Sequence, residues 1–278
     1  MTHQELALTA AKGRLLGLDM VYRAASGHLG GSFSAMDVLT VLYQNVLRID
    51  PANPADPNRD RFVLSKGHCT PALYPTLALR GFFPLEDLQL FRSIRGHLSG
   101  HAEMRHVPGV DMSTGSLGQG ISAAVGMALA GKLDGKDYRV YAMLGDGEIE
   151  EGQVWEAAMS AAKFKLDNLY AIVDVNGLQI DGRTADVMPS EPLDQKWAAF
   201  GWHVIPCDGH DYQDIEEAFV EAKTVQGQPT VLLAHTVKGK GVSFMEDNAG
   251  WHGKAPNGEQ YEQAKAELSA QIARLEAR

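Results

Sequence analysis

The sequence predicts an α/β protein, a doubly wound parallel sheet with helices on both faces. Three observations lead there. Short apolar runs alternate with helical patterns of ten or more residues, and such alternation implies right-handed crossovers between parallel strands. Three of the runs are followed by glycine turns carrying polar side chains: Gly67-His68, Gly145-Asp146-Gly147 and Asn176-Gly177. Asp146 and Asn176 stand 30 residues apart, each just past a predicted buried strand. A parallel sheet delivers both to one edge, and α/β proteins bind ligands at that edge.

The elements follow in chain order. Thr2 with Glu5 makes a capping box, and Leu8, Ala11, Leu15, Leu18 and Tyr22 recur at helical spacing until Ser26-Gly27. A second helix starts near Ser34, with Asp37 in its first turn and Val38, Leu39, Leu42 and Val46 inward. The Pro, Asn and Asp of the segment Asp50 to Asp60 make it a loop. Arg61 to Leu64 is a short strand, and Gly118 to Leu133 a helix of small residues. Further strands are expected at Tyr138 to Leu144, Leu169 to Val175, Gly201 to Ile205 and Thr230 to Thr236. Helices near Glu151 to Lys165, Pro192 to Phe200 and Tyr212 to Val225 lie between them. There is no internal repeat or linker, so one domain over 1–278 is expected, with an irregular tail from about 238.

Composition narrows the classes. A chain of 278 residues with 45% hydrophobic content can bury a substantial core. A formal charge of −10 without a basic stripe argues against nucleic acid as partner. Cys69 and Cys207 are the only cysteines, without zinc-ligand spacing. No stretch approaches a membrane span, and Met1 to Ala10 has no apolar leader core. A soluble, cytoplasmic protein with no membrane partner is the expectation.

The strand tips carry the chemistry. Gly-Asp-Gly after a strand is, taken alone, an ordinary turn; the second tip at Asn176 changes that. A carboxylate and an amide oxygen brought together suit a hard cation such as Mg²⁺, which completes its octahedron with substrate phosphates and water. A diphosphate held through a metal is the first hypothesis. The run Ser113-Thr114-Gly115-Ser116-Leu117-Gly118-Gln119-Gly120 allows close backbone approach to a ligand, but it is neither a dinucleotide fingerprint nor a P-loop. Glycine stands beside histidine at Gly27-His28, Gly67-His68, Gly100-His101 and His252-Gly253, as it also does at Gly96-His97 and Gly209-His210. Imidazole both donates and accepts near neutrality, which suits proton exchange with the oxygens of a bound ligand. The acidic run Glu148, Glu150, Glu151 reads as solvated charge at a helix N-terminus.

These motifs resemble, in order, the N-terminal third of the transketolases. The matching runs are Ser26-Gly27-His28-Leu29-Gly30, Asp60-Arg61-Phe62-Val63-Leu64-Ser65, Gly67-His68, Gly100-His101-Ala102-Glu103, and Thr114 through Gly120. Gly145-Asp146-Gly147 with Glu151-Gly152, Asn176-Gly177, Gly201-Trp202-His203-Val204-Ile205 and His252-Gly253 complete the series. The resemblance implies the diphosphate-binding module of the thiamine diphosphate fold, and transfer of a two-carbon ketol unit from a ketose to an aldose.

It also implies site roles. Asp146, the Asn176 side chain and the Leu178 carbonyl would ligate Mg²⁺, or Ca²⁺ or Mn²⁺ in its place. Gly115, Ser116, Leu117, Gly145 and Gly147 would approach thiamine diphosphate, with His68 and His252 contacting it as well. His28, His68, His101 and His252 would serve catalysis near the reacting carbon, and Glu151 matches a glutamate at cofactor and subunit contacts. The family commonly has Pro where Leu29 and Ser116 stand, Asp where Val175 stands and Gly-Ser where Cys69-Thr70 stand, which points to a divergent branch. The pyrimidine-binding domain of the family is not within the sequence. A split transketolase is therefore expected, whose partner subunit carries that domain within an α2β2 heterotetramer. A deoxyxylulose-phosphate synthase-like or 2-oxoacid dehydrogenase-like subunit is one alternative, disfavoured by Gly-His-Ala-Glu and Thr-Gly-Ser-Leu-Gly-Gln-Gly. A non-catalytic binding protein on the same fold is the other.

Overall fold

The computed structural model describes residues 1–277. Helix α1 (His3–Ala24) starts on the Thr2–Glu5 capping box and is closed by Ala25 in a left-handed conformation. Helix α2 (Gly30–Val41) begins at Gly30 rather than near Ser34, and all of it is buried. The glycines hid its start, because propensity counts them as breakers. Packing needs one there: a β-carbon on Gly30 would lie 2.9 Å from the Trp251 carbonyl. Strand β1 (Arg61–Leu64) leads into α3 (Thr70–Arg80), a helix that the sequence pattern did not show. Pro71 opens it and Pro75 lies inside it, so its pattern reads as broken.

The alternation then runs largely as expected. Helix α4 (Gly120–Leu133), strand β2 (Val140–Gly145), helix α5 (Gly152–Lys163) and strand β3 (Leu169–Val175) follow in turn. A small hairpin, β4 (Leu178–Gln179) with β5 (Gly182–Arg183), and the short α6 (Thr184–Val187) come next. They are followed by α7 (Leu193–Ala199), β6 (His203–Asp208), α8 (Tyr212–Ala222) and β7 (Thr230–His235). The expected irregular tail holds only to Asn257, where a second capping box with Gln260 starts α9 (Gly258–Glu276). Its buried stripe is thin, Tyr261, Ala264 and Leu268, too weak a periodic signal to stand out. It docks on α1, where Tyr261 stacks on Tyr22 with ring centroids 3.9 Å apart.

Five strands form one parallel sheet in the order β1-β2-β3-β7-β6. Successive strand side chains point to opposite faces, and here both faces are covered. Tyr141, Met143, Tyr170 and Ile172 join the core beneath α1, α2, α3 and α8, whereas Val140, Ala142, Leu144, Leu169, Ala171 and Val173 join the core beneath α4, α5 and α7. This is the doubly wound arrangement. In the register of β2 with β3, Gly145 stands opposite Asp174, so the segments just beyond each leave the sheet side by side.

Candidate functional site

Asp146 is 4% exposed, and its two carboxylate oxygens accept from the Gly147 N–H at 2.9 Å and the Gly177 N–H at 2.6 Å. The second bond ties the β2 tip to the β3 tip. Asp146, Asn176 and Leu178 consequently line one cavity of about 360 Å³, together with Gly145, Gly147 and Leu117. A β-carbon on Gly147 would come within 2.8 Å of Gln179 Cβ, so the turn packs against the β4 strand only as glycine. Burial, with Asp174 nearby, pushes the Asp146 carboxyl up to about 6 against those two backbone bonds.

Two buried lysines face the same cavity. Lys66 Nζ donates to the Gly31 carbonyl at 2.9 Å and to Asp174. Burial alone would lower its pKa, but Asp174 outweighs it and the group is raised. Lys238 Nζ donates to the Leu178 carbonyl at 3.1 Å and lies 3.2 Å from His252 Nδ1. Its pKa is lowered, by burial first and then by Lys66. Lys66 is matched by Asp174, whereas Lys238 has no carboxylate partner among the described residues, and an ammonium left so favours an anionic ligand.

The four histidines converge beside this floor. The His28 ring lies 5.0 Å from His68, 5.5 Å from His252 and 6.2 Å from His101, and His68 lies 5.1 Å from His252. Burial lowers all four pKa values: His28 and His252 fall to about 4, His68 falls well below 6.5, and His101 falls too, with Arg92 adding to the shift at His28 and His101. All are neutral at pH 7, each able to donate at one nitrogen and accept at the other. His28 Nδ1 is buried without a hydrogen-bond partner, as a group facing a ligand would be.

The remaining expected residues sit elsewhere. Gly115 and Ser116 line a neighbouring pocket of about 250 Å³, and Leu117 alone of their run reaches the main cavity. Glu151 is exposed at the start of α5 and outside that cavity. Glu148, expected to be solvated, is instead 3% exposed and lines the cavity. It accepts from Ser65 Oγ, from the Gly118 N–H at 3.0 Å and from the Gly145 N–H at 3.1 Å, joining three loops. Sequence reasoning passed over Lys66 and Lys238 and read Glu148 only as part of a solvated run. For Lys238 a signal existed, since Val237-Lys238-Gly239 follows a strand just as Asp146 does.

Asp146, Asn176 and the Leu178 carbonyl offer one charged and two neutral oxygens, a donor set that suits a small hard cation already partnered by phosphate. Among the described residues no group of three or more His, Cys, Asp or Glu is placed to hold a metal; a set with a single carboxylate is not of that kind.

Residues 6–274 match the family described as transketolase, thiamine diphosphate binding domain. The chain belongs to the transketolase family. It is similar to one of the subunits of apulose-4-phosphate transketolase from Phocaeicola vulgatus, at 45% identity over 99% of this chain and 98% of the relative. Subunit SqwG of 6-deoxy-6-sulfo-D-fructose transketolase from a Clostridium species is 49% identical over 92% of this chain and 93% of its own. Rat transketolase is 42% identical, but the match spans only 43% of its length. Among solved structures, transketolase from Campylobacter jejuni superposes with a TM-score of 0.90 at 34% identity, covering 99% of this chain and 46% of that one. The chain is thus a transketolase subunit that spans less than half of the single-chain transketolases, and the two alternative classes are not favoured. Among the described residues, no helix is long and apolar enough to cross a membrane.

Proposed function

We propose that this transketolase subunit holds the diphosphate of thiamine diphosphate through Mg²⁺ at the tips of β2 and β3. A partner subunit then completes the site, and together they transfer a two-carbon ketol unit between sugars in the cytoplasm. The observation that carries the reading is the Gly177 N–H to Asp146 bond, which joins the two tips inside a cavity that also holds Lys66 and Lys238. Asp146, Asn176 Oδ1 and the Leu178 carbonyl would ligate the cation, and Ca²⁺ or Mn²⁺ would substitute. Lys238 opposes the phosphate charge, while Gly115, Ser116, Leu117, Gly145 and Gly147 let the chain lie close to the cofactor. Bound thiamine diphosphate supplies the ylid and electron sink.

This chain's part in the chemistry is to bind, orient and move protons. Neutral His28, His68, His101 and His252 donate to and accept from the ketol oxygens. Glu151, exposed at the start of α5, contacts the partner chain. That partner carries the pyrimidine-binding domain, in an α2β2 assembly. Support for two chains is that relatives named as subunits match along nearly their whole length. Both are named for sugars with an anionic terminus, a phosphate or a sulfonate, and a ketose of that class is the proposed donor. Mixing the purified chain with its pyrimidine-binding subunit, thiamine diphosphate and Mg²⁺ should create ketol transfer. Equal activity from this chain alone would overturn the two-chain reading.

A further inference from the structure

Asp174, 1% exposed at the carboxyl end of β3, sits two residues before Asn176. Its carboxylate gathers donors from four segments. Ser34 Oγ of α2 at 2.6 Å, Lys66 Nζ and Asn176 Nδ2 at 3.1 Å all reach Oδ2, and Thr236 Oγ1 beyond β7 reaches Oδ1. An ionised carboxylate only accepts. Burial alone would raise its pKa, but Lys66 and the hydroxyl donors hold it below the ordinary value.

An asparagine amide is close to symmetric in shape and opposite in polarity at its two ends. Without a partner the amide is free to rest with either end toward the cavity, and only its oxygen can ligate a cation. With Nδ2 committed to Asp174, Oδ1 lies at the other end, where it accepts from the Leu178 N–H at 3.1 Å on the cavity wall. We infer that Asp174 is a positioning residue that sets the polarity of Asn176, turning the amide oxygen toward a divalent cation. This rests on the reading of Asp146 and Asn176 as metal ligands. Lys66 completes the device: by pairing with Asp174 it keeps that carboxylate behind the ligand instead of beside it as a competing one.

The test is Mn²⁺ binding in the presence of thiamine diphosphate, followed by the paramagnetic resonance of free Mn²⁺, on the chain assembled with its pyrimidine-binding subunit. Asp174→Asn should weaken Mn²⁺ binding by roughly 10–100-fold, the range for groups that orient a ligand. Because that variant also unpairs Lys66, the deciding comparison is Asp174→Asn made in a Lys66→Met background, where no charge is stranded. Against Lys66→Met alone, the added Asp174→Asn should still cost about tenfold or more, because only the bond to Asn176 Nδ2 is then lost. Wild-type affinity in Asp174→Asn, or no further loss when it is added to Lys66→Met, would overturn the inference. Asp146→Ala separates the two readings. Undiminished affinity there would overturn the metal site and the inference with it, whereas weak binding in Asp146→Ala beside full binding in Asp174→Asn would overturn the inference alone.

Discussion

The Gly177 N–H donates to Asp146 Oδ2 at 2.6 Å, so the turn after β3 is anchored by the side chain after β2. Neither tip is placed independently of the other. Asp146→Ala should therefore lower affinity for thiamine diphosphate with Mg²⁺ by about 10–100-fold, the worth of one charge-assisted contact of ~1.5–3 kcal/mol. Calorimetry on the assembled enzyme measures it. Unchanged affinity would contradict the assignment of Asp146.

Lys238 gives a second prediction. Its ammonium bonds the Leu178 carbonyl and stands among neutral histidines at the cavity wall. Lys238→Met keeps the buried methylenes and removes only the charge. Diphosphate affinity should fall about tenfold or more, and the protein should lose about 1.5–3 kcal/mol with the charge-assisted bond to the Leu178 carbonyl. A melt and a cofactor titration separate the two effects, and an affinity equal to wild type would show that the charge does not face the diphosphate.

How far the sequence disclosed all this follows from what each element needs from its neighbours. β2 and β3 are buried on both faces, so they read as continuous apolar runs, and the polar residue after each marks the ligand edge. Asp146 and Asn176 stood out as candidates for that reason, whereas the four histidines stood out by their glycine neighbours. Helix α2 was displaced by its glycines, and α3 was masked by Pro75. The side chains that organise the site were hidden by a different cause. Lys66, Glu148 and Asp174 are charged residues whose partners come from distant segments, and a charge is normally read as solvated because burying it unpaired is costly.

The histidines make the acid limb predictable. His28 and His252 titrate near 6.5 in the unfolded chain and near 4 in the folded one. The unfolded state therefore binds more protons between those values, and stability falls as pH drops from about 6.5 to about 4. Urea unfolding at pH 7, 5.5 and 4.5 should show the decline, and imidazole carbon shifts should stay those of the neutral ring at pH 5.5. Charged His28 and His252 at pH 5.5 would contradict the burial argument.

Helix α9 adds a prediction outside the site. Tyr261 stacks on Tyr22 and its hydroxyl donates to Asp19 at 2.8 Å. Tyr261→Phe removes only that hydrogen bond and should cost about 0.5–1.5 kcal/mol, while Tyr261→Leu also loses the stacked pair, about 0.5–1.5 kcal/mol more. Denaturant midpoints at constant slope would report both. Equal midpoints in the two variants would mean that the stacking contributes nothing.

His101 is the residue on which binding and turnover should part. Its carbonyl is fixed by Tyr74 and Ser99, at 3.0 and 2.6 Å, while its ring stands free of those bonds, 6.2 Å from His28. The ring lies outside the cavity that contains Asp146, and a β-carbon on Gly115 would touch it at 3.2 Å. His101→Ala should leave cofactor affinity within about twofold and lower kcat by about 10²-fold or more, the ordinary worth of a positioned proton donor or acceptor. Cofactor titration and steady-state kinetics on one preparation decide it. A tenfold weaker cofactor with kcat intact would move His101 from the sugar to the diphosphate.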